Sequence, residues 1–128
     1  IADGQARGEV LVSEEPISFY GAVDIDSGTF IEEGHQLEGE NISGKVLVFP
    51  KGKGSTVGSY VLYGLSQTGT APAAIITHET ETIVATGAIL GEIPCLDGIE
   101  DAVSKLRTGD TVEVDATTGV VDVLKRGD

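Results

Sequence analysis

Cysteine is nearly absent from this chain of 128 residues, which has a single one at position 95. One thiol excludes an intrachain disulfide and a metal site built from cysteines alone. The neighbours in Ile93-Pro94-Cys95-Leu96 are apolar, so a buried thiol is expected. The only histidines, His35 and His78, stand in no HExxH, HxH or Cys-His spacing. A zinc site made by this chain alone is therefore not expected.

Basic residues are also scarce. The chain has 8 Lys and Arg against 21 Asp and Glu, which gives a formal net charge of −13. Such a surface repels the phosphates of nucleic acids and the headgroups of anionic membranes, so neither is expected as a partner. An anionic substrate would need its positive charge from a local feature or from another chain.

Long uncharged apolar runs are missing as well, which excludes a transmembrane helix by sequence. With 40% hydrophobic residues, the chain is expected to form one domain, 1–128, with a real core. No repeat of solenoid length and no dividing linker is found. No secretory signal is recognisable either, so the cytoplasm is the expected location.

Short apolar runs bounded by turn residues predict an α/β fold with a sheet-rich core and two or three helices. Strands are expected at 9–12, 29–31, 45–49, 73–77, 111–115 and 120–124. One helix is expected from Val57 to a stop at Thr68-Gly69, and another over 99–106. The order strand, helix, strand in the middle of the chain predicts a right-handed parallel crossover. Residues 88–93 form a further apolar piece that Gly91 interrupts, and no helix is assigned to it.

The most informative segment joins the strand at 45–49 to the first helix, and it reads Pro50-Lys51-Gly52-Lys53-Gly54-Ser55-Thr56-Val57-Gly58-Ser59-Tyr60. Its glycines let the backbone approach a ligand closely, and Ser55 or Thr56 falls where a helix N-terminus exposes unpaired N–H groups. Such a loop suits a carboxylate or a phosphate. Both lysines precede Gly54, so the nucleotide-binding P-loop pattern is not met, and Ser55 has no Gly-x-Ser-x-Gly elbow. A flexible connection with a serine cap explains the same residues equally well.

Three other segments accompany this loop in a fixed order, namely Ile17-Ser18-Phe19-Tyr20-Gly21-Ala22-Val23-Asp24, Gly69-Thr70-Ala71-Pro72-Ala73-Ala74-Ile75-Ile76 and the closing Leu106-Arg107-Thr108-Gly109-Asp110. Together with the loop they resemble the small subunit of the aconitase X group, over nearly the entire chain. The resemblance implies a swivelling β/β/α domain, equivalent to the mobile fourth domain of aconitase. It also implies a heterodimer with a separate large subunit.

The resemblance further implies a dehydratase, which in the archaeal branch of this group converts mevalonate 5-phosphate to an anhydromevalonate phosphate in isoprenoid synthesis. The large subunit is expected to hold an iron–sulfur cluster, of the 4Fe–4S type, and no ligand of that cluster is expected on this chain. Ser55 matches the serine base in the Gly-Ser-Ser-Arg loop of aconitases. Val57 stands in place of the arginine, which argues against citrate or isocitrate. The residues that the resemblance places at the small anionic substrate are Gly54, Thr56, Gly58, Ser59, Gly21, Asp24 and His35.

Alternatives remain open at several of these points. The bacterial branch of the group, the cis-3-hydroxyproline dehydratases, shares the loop, and this subunit does not discriminate between the two substrates. A non-catalytic swivelling carrier or binding module belongs to another class, and phosphoryl transfer to His35 or His78 would favour it. Such carriers use a Gly-Gly-x-x-Ser-His type segment, which this chain lacks. His35 could instead cap a loop, and a plain turn would explain Gly21.

Overall fold

The computed structural model describes residues 3–52, 57–80, 82–99 and 102–127. Within these ranges it has a sheet of six strands and three helices. The elements in chain order are β1 (Gln5–Val12), β2 (Val46–Lys51), α1 (Val57–Thr68), β3 (Ala74–Glu79), α2 (Thr82–Leu90), β4 (Cys95–Leu96), α3 (Ala102–Lys105), β5 (Thr111–Asp115) and β6 (Val120–Lys125).

The sheet is mixed, and its strand order is β4-β3-β2-β1-β5-β6. The first four strands in that order are parallel, with Leu11 opposite Leu47, Leu47 opposite Ile75, and Ile75 opposite Cys95. β5 pairs antiparallel with β1, and β6 pairs antiparallel with β5. The predicted parallel crossover from β2 through α1 to β3 is confirmed, and the two strands predicted at 111–115 and 120–124 form the closing hairpin.

Both faces of the parallel strands are covered, which explains why those strands read as continuous apolar runs rather than as alternating ones. Leu11, Leu47, Phe49 and Ile75 point to one face, where α1, α2 and the long connection 13–45 pack on them. We call this the helical side. Their neighbours along the strands point to the other face, where Leu106, Val112 and Val114 complete a second cluster beside Val10, Val12, Val46, Val48, Ala74 and Ile76. We call this the hairpin side.

The strand predicted at 29–31 is wrong, because the connection 13–45 folds as a series of turns. The connection forms only isolated bridges, two within itself, between Val23 and Phe30 and between Thr29 and Asn41, and one from Ile17 to Gly52. Glycines with positive φ recur through the segment, at Gly21, Gly28, Gly34, Gly39 and Gly44. Because each one turns the chain, no stretch is long enough for a ladder. The apolar residue Phe30 does not mark a strand. Its side chain is fully buried in the core of the helical side.

Helix α2 was not recognised in the sequence, although it includes the apolar residues 88–90. Its sequence TIVATGAIL has several β-branched residues and a central glycine, which are weak helix formers. It forms because it packs directly on α1. A Cβ on Gly87 would lie 2.6 Å from Leu62 Cδ1 and 2.9 Å from Leu62 Cβ, so only glycine fits this close crossing.

The helix predicted over 99–106 is shorter in the structure, where α3 covers Ala102–Lys105. Ile99 and Val103 are partly buried against the core of the hairpin side, as their spacing predicts. No helix in the described part of the chain is long and apolar enough to cross a bilayer.

Candidate active site

The described ends of the loop singled out in the sequence lie at the carboxyl edge of the parallel strands. β2 ends at Lys51, Gly52 forms a parallel bridge with Ile17, and α1 begins at Val57. Residues 53–56, which include the predicted base Ser55 and the predicted contacts Gly54 and Thr56, lie outside the described residues. In open α/β sheets, ligands bind in the crevice outside the carboxyl ends of the strands. The bracketing residues therefore assign the loop to the edge where such sites occur.

The segment 17–24 lies against the same edge. The backbone N–H of Ile17 donates a hydrogen bond of 3.1 Å to the carbonyl of Lys51, and that of Ser13 donates one of 2.8 Å to Val48. At the other end of the loop, a Cβ on Gly58 would lie 3.7 Å from the backbone nitrogen of Tyr20. Two motifs that are more than 25 residues apart in the sequence thus meet at one place.

Gly58 is buried in the first turn of α1, where three segments converge. A Cβ at this position would also lie 3.3 Å from Ile83 Cγ2 of α2 and 3.8 Å from Phe19 Cβ. The first of these contacts is tighter than ordinary van der Waals packing, so the glycine allows α2 and the segment 17–24 to approach α1 together. Packing accounts for this glycine, and its contact with substrate stays a prediction.

Ser59 follows Gly58 and lies on the face of α1 that meets α2. Its side chain is buried, and a Cβ on Gly87 would come within 3.2 Å of its Cα. It lies in the interface between the two helices rather than on the outer surface of α1. A role at the substrate is not needed to explain it and stays a prediction.

Gly21 and Asp24 shape the turn at the end of the segment 17–24. Gly21 has a φ of 78°, and a Cβ there would meet nothing within 4 Å, so the backbone conformation explains the glycine. The carboxylate of Asp24 accepts hydrogen bonds from the backbone of Asp26 and from the hydroxyl of Ser27, at 3.2 and 2.9 Å. The Asp24 carbonyl accepts a third from Gly28. This is the capping pattern that aspartate makes in turns.

His35 is buried, and both of its ring nitrogens bind the backbone. Nδ1 accepts a hydrogen bond of 3.0 Å from the N–H of Leu37, so the proton lies on Nε2, which donates to the carbonyl of Pro16 at 3.1 Å. The ring packs on Phe30 with 4.6 Å between centroids. Glu15 Oε2 lies 3.6 Å from Nε2. These contacts favour the loop-capping interpretation, in which His35 fixes the start of the segment that leads to Ile17.

A polar cluster at the ends of β3 and β4 was missed in the sequence. Thr77 is fully buried, and its hydroxyl hydrogen-bonds the hydroxyl of Thr80 and donates to the carbonyl of Leu96. The backbone N–H of Thr80 donates to Asp97 Oδ1 at 2.7 Å. The available signal was a threonine that ends an otherwise apolar strand. The cluster ties the ends of β3 and β4 together beside the candidate site.

Cys95 is buried in the core of the helical side, as the sequence predicts. Burial raises the pKa of its thiol to about 11, against a smaller lowering by a hydrogen bond with Thr80. The described part of the chain contains no group of three or more His, Cys, Asp or Glu residues that could hold a metal ion. The described residues therefore do not fit an iron–sulfur cluster.

Exposed tyrosines flank the loop, which the sequence did not indicate either. Tyr20 is 58% exposed beside Gly21, and Tyr60 is 68% exposed in the first turn of α1. Tyr63 and Val57 continue this surface along α1. Tyrosine is enriched in protein interfaces, so an aromatic surface around a candidate site suits contact with another chain. We call it the tyrosine surface.

Comparison with known proteins decides the family. The profile of the aconitase X swivel domain matches residues 1–123. The chain belongs to the aconitase X swivel-domain family. It is 53% identical to the phosphomevalonate dehydratase small subunit of Thermococcus kodakarensis, over 100% of this chain and 95% of that protein. It is 56% identical to the protein of the same name from Methanosarcina mazei, over 100% of this chain and 90% of that protein.

Solved structures agree with this assignment. The crystal structure of Thermococcus kodakaraensis aconitase X in its holo-form matches with a TM-score of 0.92 at 52% identity, over 97% of this chain and 93% of that one. The solution NMR structure of a UPF0107 protein matches with a TM-score of 0.88 at 46% identity, over 97% and 94%. The expected α/β fold, that of the aconitase X swivel domain, is thereby confirmed.

Proposed function

We propose that this chain is the small subunit of a phosphomevalonate dehydratase, a hydro-lyase that removes water from mevalonate 5-phosphate. The product is an anhydromevalonate phosphate. The observation that carries this proposal is the identity of 53% and 56%, over the whole chain, to small subunits of that name from two archaea. The name of those proteins implies a large subunit, and we expect this chain to be active only together with such a partner.

Within this complex we assign the role of base to Ser55. In the sequence, Ser55 lies between Lys51, where β2 ends at the carboxyl edge of the sheet, and Val57, where α1 begins. A serine hydroxyl loses its proton only if nearby donors stabilise the alkoxide. The first turn of α1 carries no acidic residue that would compete for its N–H groups, and its dipole favours negative charge. In a cleft closed to water, such preorganised donors contribute several kcal/mol.

The other predicted site residues differ in what supports them. Gly54, Thr56 and Gly58 are proposed to offer backbone N–H groups to substrate or to the alkoxide. Ser59, Asp24 and His35 already have partners within the chain. We propose that these three, with Gly21, shape the site rather than bind the substrate.

Charge supports the need for a second chain. The proposed substrate carries a carboxylate and a phosphate, whereas the chain has a net charge of −13. Among the described residues that border the loop, Lys51 at the end of β2 is the only cation. We therefore propose that the large subunit supplies most of the positive charge. We also assign any iron–sulfur cluster to it, because the thiol of Cys95 is buried and the described residues offer no ligand group.

The tyrosine surface is the proposed docking site of the large subunit. The backbone of Tyr20 lies beside Gly58 in the first turn of α1, so a chain seated on this surface would cover the edge of the sheet where α1 begins. Closure excludes water, which strengthens the electrostatic stabilisation that the serine base requires.

Co-expression tests the proposal. This chain would be produced anaerobically with the large subunit from the same genome, and dehydration of mevalonate 5-phosphate and of cis-3-hydroxyproline would be measured. We expect turnover of the first substrate only, and only in the complex. Turnover of hydroxyproline alone would assign the chain to the bacterial branch. Full activity of either chain by itself would overturn the two-subunit proposal.

A further inference from the structure

A basic cavity lies on the other side of β1 from the candidate active site. It has a volume of about 340 Å³ and is lined by the cations Lys105, Arg107 and Arg126 together with Ser104, Thr108 and Asp110. We call it the basic cavity. The backbone N–H of Val12 donates to Thr108 Oγ1, and that of Gly109 donates to Val10, which fixes the cavity beside the end of β1.

The charge of the basic cavity is opposite to that of the whole chain. Three of the 8 Lys and Arg residues line it, although the net charge of the chain is −13. Arg126 forms an ion pair with Asp110 at 3.0 Å. Within the described ranges, Lys105 and Arg107 form no ion pair, even though acidic residues outnumber basic ones by more than two to one. Asp110 is the one carboxylate among the described residues that line the cavity, against three cations, so an anion bound there would reduce the repulsion between these cations.

Asp110 is a buried residue of the cavity that fixes the backbone and the arginine around it. It is 1% exposed, and its carboxylate accepts hydrogen bonds from the backbone of Arg107 at 3.0 Å and of Gly127 at 2.8 Å. Arg126 Nη1 donates to the same carboxylate and, at 3.3 Å, to the carbonyl of Lys105. Burial alone would raise the pKa of Asp110, but these hydrogen bonds and the charge of Arg126 hold it below its usual value. The carboxylate therefore stays ionised, and its two oxygens already accept hydrogen bonds from within the chain.

The groups that remain available in the cavity are donors. Arg126 is fixed through Nη1, and its Nη2 and Nε hydrogens have no partner among the described residues, so they can bind a ligand. Thr108 Oγ1 accepts from Val12, so its hydroxyl hydrogen is also available. Lys105 and Arg107 can only donate. Several charged donors around one polar cavity match the oxygens of a tetrahedral dianion.

We propose that the basic cavity binds a phosphate-type dianion, either inorganic phosphate or the phosphoryl group of a phosphate monoester. Lys105, Arg107, Thr108 and Arg126 are its ligands, and Asp110 positions Arg126. Two strand spacings, roughly 10 Å, separate this cavity from the end of β2. The cavity is therefore lined by other residues than the loop of Ser55, and its binding of phosphate can be tested without the proposed dehydration.

A titration followed by NMR tests this proposal. The full chain, labelled with ¹⁵N, would be titrated with sodium phosphate at an ionic strength held constant with sodium chloride. We expect saturable shifts in the amides of residues 104–108 and 126–127. Arg107→Gln should weaken binding at least about tenfold, because it removes a charged hydrogen bond. The matched variant Arg7→Gln removes the same charge from β1 and should leave binding unchanged.

Two results would overturn the proposal. One is the absence of a saturable shift at these amides, and the other is an equal loss of binding in both arginine variants, which would show a diffuse charge effect. Thermal melts check that Arg107→Gln is folded, as expected because the Arg107 side chain is exposed and makes no ion pair among the described residues.

Steady-state kinetics of the assembled complex separates the two sources of the phosphate. If the cavity holds the phosphoryl end of the substrate, Arg107→Gln raises KM for mevalonate 5-phosphate while Arg7→Gln does not. If it holds a separate phosphate, Arg107→Gln leaves KM unchanged, and the loss of phosphate binding is seen only in the NMR titration. Phosphate binding without any dehydratase activity would leave the cavity assigned while the proposed function failed.

Discussion

The helical side and the hairpin side of the sheet are built in different ways. On the helical side, α1 and α2 approach closely through Gly58 and Gly87, and three phenylalanine rings fill the space under the long connection. On the hairpin side, the cover consists of α3 and a hairpin whose outer strand β6 exposes Val120, Val123 and Leu124. The helices of the helical side approach closely, whereas on the hairpin side polar contacts around Asp110 add to the apolar cluster. Close packing is therefore found around Gly58, directly after the loop that contains Ser55.

The largest effect is expected from Ser55→Ala, in the loop that joins β2 to α1 on the helical side of the comparison. Loss of a proton-transfer group should lower kcat of the complex by roughly 10²- to 10⁴-fold, with the two subunits still assembled. Ser66→Ala, at the far end of α1, removes a hydroxyl that only donates to the carbonyl of Tyr63 and serves as the control. Kinetics and size-exclusion chromatography measure both. Near-normal turnover in Ser55→Ala would show that this serine is only a helix cap.

The second effect concerns the helix crossing. Gly87→Ala puts a methyl group 2.6 Å from Leu62 Cδ1 and 3.2 Å from Ser59 Cα, so the helices must separate. We expect a loss of about 1–3 kcal/mol in the free energy of unfolding, as for other overpacked cores.

Gly64→Ala in α1 is the matched control for that crossing. Its Cβ would meet only the side chain of Ile25, at 3.3 Å or more, and alanine gains about 1 kcal/mol of helix propensity over glycine. This variant should be neutral or more stable in urea denaturation. Equal effects of the two substitutions would contradict the close packing of α1 on α2.

The third effect is on the hairpin side. Asp110→Asn should cost about 1–3 kcal/mol at pH 7, because it weakens the charged hydrogen bond to Arg126 and the backbone contacts that close the hairpin. Urea denaturation measures it. Asp122→Asn removes an exposed charge from β6 and should change stability by less than about 0.5 kcal/mol.

Acid tests the same carboxylate by another route. The pKa of Asp110 is lower in the folded chain than its ordinary value of 3.8. Its contribution to stability is therefore complete above the unfolded pKa and is lost as the pH falls through the folded pKa. Denaturation between pH 5 and pH 2 should show a smaller decrease for Asp110→Asn than for the natural chain. Parallel curves would show that Asp110 is not the stabilising group.

Local patterns in the sequence predicted most of the fold. The runs 45–49 and 73–77, the spacing of Val57, Val61 and Leu65, and the alternation at 111–115 each specify one element without help from distant residues. α2 was not predicted because its own composition does not favour a helix. Its packing against Leu62 of α1 stabilises it. The strand predicted at 29–31 failed because the burial of Phe30 was taken for a strand pattern.

The two candidate sites also differ in how far the sequence predicts them. The loop of Ser55 is contiguous, so its residues suggest an anion site at once. The basic cavity is not contiguous, because Lys105 and Arg107 precede the hairpin while Arg126 follows it. The register that places Thr111 opposite Lys125 brings Arg126 beside Asp110. Only the pairing of β5 with β6 creates that cavity, and no local motif could have indicated it.

The smallest effect is expected at Cys95. Its thiol is fully buried on the helical side and its pKa is raised to about 11, so little thiolate exists at pH 8 and reagents cannot reach it. Iodoacetamide should leave it unmodified in the folded chain and alkylate it in urea, as mass spectrometry would show. The variant Val123→Cys places a second thiol on exposed β6, where it should react readily. Labelling of both thiols at similar rates would mean that the helical side opens as easily as the hairpin, which its close packing does not allow.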